Sequence, residues 1–186
     1  SEGDDGFSPD VLGDDGAGTN FNVGGADSID GKSGTDTVSY ANTGANEGFS
    51  PSGIIANLAN GRVIDPAGNE DLITNIENIT GSAYDDNLVG NEKANVLRGE
   101  DGADVLEGGA GDDTLTGGEG SDAFVFRGAF DHDVITDFDE GEDNLEFYTE
   151  DGASLAVSEL VDSTDGNGSR VLSTSDGMSS VTFEAA

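Results

Sequence analysis

The sequence predicts an all-β fold, a right-handed parallel β-roll closed by a β-rich C-terminal cap. Three observations carry this expectation. A nine-residue repeat keeps three columns of residues in one phase, the 33% of hydrophobic residues with no Trp is too little for a thick core, and no stretch shows a convincing helical period.

The repeat is clearest over residues 81–125. Gly81, Gly90, Gly99, Gly108 and Gly117 recur every nine residues, Asp86, Asn95, Asp104, Asp113 and Asp122 hold the sixth position, and Leu88, Leu97, Leu106, Leu115 and Phe124 the eighth. With 30 glycines in 186 residues, one such glycine register has a chance of about one in ten thousand. A fainter block precedes it. Asp27/Ile29 and Asp36/Val38 keep the same Asp-x-apolar relation, with Thr19/Phe21 and Asp10/Leu12 as outlying members and a slip between Phe21 and Ile29. Residues 41–80 are expected to be irregular coils that continue the stack, with a strand-like Gly53-Ile54-Ile55-Ala56-Asn57-Leu58 and then Ile73, Ile76 and Ile79. After Phe124-Val125-Phe126 the repeat fades into Asp133-Val134-Ile135-Thr136-Asp137-Phe138. The tail reads as short strands near 155–161, 170–174 and 179–183, with Ser175-Asp176-Gly177 as a hairpin turn. The expected division is 1–40, a short degenerate repeat block; 41–80, the insert; 81–130, the main roll; and 131–186, the cap and tail.

The spacing has a physical reading. Glycines at positions one, two and four permit the positive-φ conformations of a tight turn and close backbone approach. The x-apolar-x triplet is a short strand that survives only by stacking in parallel, its apolar side chain pointing inward. Two units make one coil, so Asp86, Asp104 and Asp122 line one edge and Asn95, Asp113 and Asp131 the other. Two like charges 4 Å apart repel by about 4 kcal/mol at an effective dielectric of 20, and a column of single leucines does not offset that. A cation is therefore required. Ca²⁺ takes six to eight oxygens in tolerant geometry, which paired carboxylates and turn carbonyls supply, whereas Mg²⁺ demands a stricter octahedron. Several ions are expected. The candidate ligand positions are Asp27, Asp36, Asp86, Asn95, Asp104, Asp113, Asp122 and Asp131, with the turns of Gly99, Gly102, Gly108, Gly109, Gly111, Gly117, Gly118 and Gly120. Tyr84 and Lys93 replace the fourth-position glycine, Ser82, Asn91 and Glu100 the second, and Asn95 replaces Asp. This forecasts a weaker site between Asn95 and Asp113 than between Asp104 and Asp122 and makes residues 81–98 a degraded extension.

The unit Gly108-Gly109-Ala110-Gly111-Asp112-Asp113-Thr114-Leu115-Thr116 and its successor fit the G-G-x-G-x-D-x-U-x nonapeptide. In these residues the chain resembles the RTX, or haemolysin-type calcium-binding, family, and the segment after Val125 is similar to the one that follows the β-roll in serralysin-type C-terminal domains. The resemblance implies a non-catalytic module of a larger bacterial protein that leaves the cell through type I secretion machinery and folds in external calcium, a monomer that is secreted or held at the cell surface.

Composition narrows the partners. Forty Asp plus Glu against six Lys plus Arg give a net charge of −34, which repels nucleic acid and anionic membranes. No apolar run approaches the ~20 residues that span a bilayer. The opening Ser1-Glu2-Gly3-Asp4-Asp5 has neither a basic nor an apolar signal region, so export by another route is expected. The chain has no Cys and a single His, His132, which removes thiol chemistry, an HExxH zinc site and His-dependent triads. Paired acids such as Asp112-Asp113 read as calcium turns before they read as a glycosidase pair, and Asp65-Pro66 as an ordinary turn before a self-cleaving bond. Tyr40, Tyr84, Tyr148 and the phenylalanines are expected in the core and cap. The alternatives to a calcium-dependent folding and secretion module are a polysaccharide-binding or adhesive module, with an exposed aromatic ridge, and a non-catalytic piece of a secreted protease, lipase or alginate-modifying enzyme.

Overall fold

The computed structural model describes residues 19–20, 26–41 and 52–184; the Asp10/Leu12 pair and Phe21 lie outside them. In chain order the strands are β1 (Thr19–Asn20), β2 (Ser28–Asp30), β3 (Thr37–Ser39), β4 (Ile55–Asn57), β5 (Arg62–Ile64), β6 (Glu70–Thr74), β7 (Asn78–Thr80), β8 (Asn87–Asn91) and β9 (Val96–Asp101). They continue with β10 (Val105–Gly109), β11 (Thr114–Glu119), β12 (Ala123–Arg127), β13 (His132–Ile135), β14 (Asn144–Tyr148), β15 (Ser154–Leu155), β16 (Val161–Thr164), β17 (Arg170–Ser173) and β18 (Ser180–Phe183).

Successive repeats alternate between two facing sheets. One runs β1-β3-β7-β9-β11-β13-β18-β17-β16 and the other β15-β14-β12-β10-β8-β4-β5-β6-β2. Through the repeats the pairing is parallel, with Leu106 beside Leu88 and Phe124 in one sheet and Leu115 beside Leu97 and Ile135 in the other. This is the parallel β-roll expected from the nine-residue period. Strands are longer than the x-apolar-x triplet, because pairing runs on into the next turn, with Gly118 and Glu119 opposite Glu100 and Asp101.

The core is one residue thick per coil. Val38, Ile79, Leu97, Leu115 and Ile135 face Ile29, Ile73, Ala56, Leu88, Leu106 and Phe124, all buried. Each strand contributes little apolar area, so the two columns hold the roll only as a continuous stack.

The described part of the insert is more regular than its sequence suggests. β4, β5 and β6 form an antiparallel meander set into one sheet, with Ala56 opposite Val63 and Val63 opposite Asp71. Parallel stacking resumes where β4 pairs with β8 and β6 with β2. Asp65-Pro66 lies in the turn between β5 and β6, where Asp65 accepts the Ala67 and Asn69 amides at 2.9 and 2.7 Å. It is an ordinary side-chain-closed turn.

At the far end the leucine columns give way to aromatics. Phe126, Phe130 and Phe147 pack with centroids 4.9 to 5.8 Å apart, and Phe138 bridges Phe124 and Phe183 at 6.1 and 5.2 Å. Antiparallel β16, β17 and β18 then close one sheet, the last two joined by a turn in which Asp176 accepts the Met178 amide and Gly177 has φ 70°.

Candidate metal centre

The sixth residue of each repeat enters the interior at the base of its strand, so its carboxyl is buried at the seam where turn meets sheet. Asp86, Asp104, Asp113, Asp122 and Asp133 are each no more than 3% exposed. One oxygen of each accepts a main-chain amide from the preceding coil. Asp104 Oδ1 takes the Asp86 amide at 2.7 Å, Asp122 Oδ1 the Asp104 amide at 2.9 Å and Asp143 Oδ1 the Asp122 amide at 3.0 Å. On the other edge Asp113 Oδ1 takes the Asn95 amide at 2.8 Å and Asp133 Oδ1 the Asp113 amide at 2.9 Å. Two ladders of stacked carboxyls result.

The second oxygen of Asp104, Asp113, Asp122 and Asp133 is buried with no hydrogen-bond partner. Such an atom is costly unless something positive meets it. Burial is the main reason the carboxyls resist ionising: Asp104 and Asp113 are pushed up to about 7 and Asp133 to about 8. Neighbouring acids reinforce the shift, and the donated amides only partly oppose it. A hard divalent cation relieves both the orphaned oxygens and the repulsion, and carboxylate with carbonyl oxygen is the donor set it prefers. Among the described residues no three His, Cys, Asp or Glu side chains converge as a metal cage, so any site here also needs main-chain carbonyls.

The glycine column has a direct steric cause at Gly99 and Gly117. A Cβ on either would fall on the Oδ2 of its own repeat's aspartate, Asp104 and Asp122 respectively, the same oxygens that lack partners. At the second position the backbone is left-handed, with φ 105° at Gly109 and 108° at Gly118, and Glu100 carries φ 84° there. Gly102, Gly111 and Gly120 hold φ 137°, 103° and 139° at the fourth position.

The candidate positions separate into two groups. Asp104, Asp113 and Asp122 keep an open oxygen. Asp86 does not, because Ser82 at the second position donates its amide to Oδ2 at 2.5 Å and its hydroxyl to Oδ1 at 2.9 Å. Asn95 is satisfied as well, its Oδ1 accepting the Asn91 amide and its Nδ2 donating to the Glu77 carbonyl, both at 2.8 Å. On the described residues, Asp27 and Asp36 donate their amides to Asp71 Oδ1 at 3.0 Å and to Glu77 Oε2 at 3.1 Å.

Asp131 does not occupy the rung its nine-residue spacing assigns it; Asp133 does. Two extra residues fall between Asp122 and Asp133, so the rung above Asp113 comes 20 residues on, not 18. Asp131 sits instead at the turn's fourth position with φ 49° and accepts the Gly111 amide at 2.9 Å. Asp143, 21 residues beyond Asp122, is the other rung the period missed. The Asp-x-apolar pattern in Asp133-Val134-Ile135 and Asp143-Asn144-Leu145 is the signal that finds both.

His132 is exposed, with Nδ1 2.9 Å from Ser180 Oγ. Among the described residues the large exposed apolar side chains are aliphatic or Met178, so no aromatic ridge is formed there. No described helix is long and apolar enough to cross a membrane.

Fold and carboxyl ladders together define a parallel roll with unpartnered carboxyl oxygens buried along its seams. The repeats are of a known kind: the RTX calcium-binding nonapeptide repeat matches four times, at residues 24–39, 80–115, 89–124 and 99–135, and these segments are RTX calcium-binding repeats. Several Ca²⁺ ions are the cofactor of such repeats. No curated protein matches the chain. Among solved structures, the AlgE6R3 subunit of the Azotobacter vinelandii mannuronan C5-epimerase is similar over 57% of this chain and 69% of its own, with 29% identity and a TM-score of 0.45. The extracellular lipase LipA of Serratia marcescens aligns over 88% of this chain, which spans 32% of the lipase, with 21% identity and a TM-score of 0.38.

Proposed function

We propose that this chain is a calcium-switched folding module of a larger secreted protein, unfolded where calcium is scarce and wound into the roll outside the cell after export through a type I route. The observation that carries it is the set of four buried aspartates, each with an oxygen that no protein group meets. Ions shared between Asp104 and Asp122 on one edge, and between Asp113 and Asp133 on the other, complete these positions together with turn carbonyls around Gly99, Gly102, Gly108, Gly109, Gly111, Gly117, Gly118 and Gly120. Because those ligands come together only in the wound chain, binding free energy becomes folding free energy. In this reading residues 99–125, together with Asp133, are the calcium-dependent part of the roll, and the end beyond it is held by its aromatic residues. Circular dichroism through an EDTA and Ca²⁺ titration tests it. Strand content should appear with calcium and vanish with chelation, and equal strand content in both conditions would sink the proposal.

A further inference from the structure

One step of the second ladder is built differently from the rest. Glu77 stands at the sixth position of the coil below Asn95, and one carboxyl oxygen, Oε2, accepts the Asp36 amide at 3.1 Å, as the aspartates do for their own preceding coil. Its other oxygen, Oε1, is met by the Lys93 ammonium at 3.0 Å. Lys93 occupies the fourth position of turn 90–95, where the well-formed turns carry a left-handed glycine. The turn is closed by its own amide groups: Asn91 Oδ1 accepts the Lys93 amide, Asn95 Oδ1 accepts the Asn91 amide, and Asn95 Nδ2 donates to the Glu77 carbonyl, each at 2.8 Å.

Resting on the calcium reading above, we propose that Lys93 is a tethered replacement for an ion, and that with the neutral Asn95 it makes the step between Glu77 and Asn95 metal-independent. The chemistry matches position by position. Where Asp104, Asp113, Asp122 and Asp133 leave a buried oxygen unpartnered, Glu77 gives its second oxygen to an ammonium. Where an aspartate would add a second negative charge across the step, an amide donates a hydrogen bond instead. The Lys93 side chain is largely exposed, so its bond is modest in strength; its effect is to cancel the charge of Glu77 without a ligand from solution. With Asp86 satisfied by Ser82 on the opposite edge, the coil of residues 81–98 is a metal-free footing on which the calcium-bearing coils stand.

The test counts ions by calorimetric titration with Ca²⁺ alone, wild type first. The double substitution Lys93→Gly with Asn95→Asp restores the repeat pattern and should bind one more Ca²⁺ per chain than the wild type. An unchanged count in the folded variant overturns the inference, while a wild type that binds no calcium overturns the parent reading as well. Should the double variant fail to fold, Glu77→Gln decides: the wild-type ion count must be retained, and the loss of one ion would show that Glu77 is a ligand.

Discussion

At the scale of single residues, what distinguishes one repeat from another is whether the aspartate's second oxygen has a protein partner. Asp104 stands between Asp86 and Asp122 in its column and leaves Oδ2 open, so on the proposed calcium reading Asp104→Ala removes a ligand from the ion it shares with Asp122. A lost interaction with a charged group costs about 1.5–3 kcal/mol, which at about 1.4 kcal/mol per decade raises the calcium midpoint at least tenfold. Asp86→Ala should move it far less, because Ser82 already satisfies that carboxyl; equal shifts in the two variants would contradict the distinction. The same burial sets a pH dependence for the calcium-free chain. Asp104, Asp113 and Asp133 rise from 3.8 to about 7, 7 and 8 in the fold. The folded state therefore binds more protons than the unfolded one, and the stability this confers is full below about pH 4 and lost as pH climbs through 7 to 8. In EDTA, lowering the pH from 8 to 5 should raise strand content, and in calcium the same change should weaken binding as protons compete for the carboxylates. Circular dichroism reads the first and titration calorimetry the second; strand content that falls on acidification in EDTA would count against the buried-carboxyl account.

At the scale of elements, the parallel stack was legible because glycine, aspartate and leucine columns share one period through residues 81–125. The rungs beyond were obscured by small insertions. Two residues are added between Asp122 and Asp133 and a further one before Asp143, so strict counting lands on Asp131 when the geometry uses Asp133 and never reaches Asp143. The meander β4–β5–β6 was hidden for another reason: its inward residues Ile54, Ala56, Val63 and Ile73 carry no glycine punctuation, and only pairing reveals that the chain doubles back. The aromatic group of Phe126, Phe130 and Phe147 packs by ring contacts and involves no carboxyl ladder. Phe126→Ala should cost about 3–5 kcal/mol, seen as a lower Tm in saturating calcium that further calcium does not restore. Recovery of the wild-type Tm by added Ca²⁺ would instead place Phe126 in the metal-dependent part.

At the scale of the whole molecule, a net charge of −34 is carried on a scaffold with a core one side chain thick, and cohesion comes from repetition of a small contact. Quasi-one-dimensional stacks of this kind gain stability from neighbouring coils more than from any single coil. The acidic surface and the buried ladders respond to cations in different ways: the first is screened by any salt within about a Debye length, the second answers to an ion that fits carboxyl and carbonyl oxygens. A monovalent salt such as KCl therefore eases surface repulsion and, on the proposed calcium reading, should not replace Ca²⁺ in inducing strand content.

The ladder also has a direction. Each sixth-position carboxyl caps an amide of the coil before it and none of the coil after it, even though the main-chain bonds between coils run both ways. Within that carboxyl ladder, cutting coils away from the N-terminal side uncovers acceptor oxygens, which water satisfies readily; cutting from the other side strands the capped amide donor, which folded chains seldom leave unpaired. A chain beginning at residue 81 should keep its calcium-dependent strand signal, whereas one ending at residue 136, without Asp143 above the Asp122 amide, should lose it. Winding that begins at the C-terminal end offers each arriving coil a seat already made.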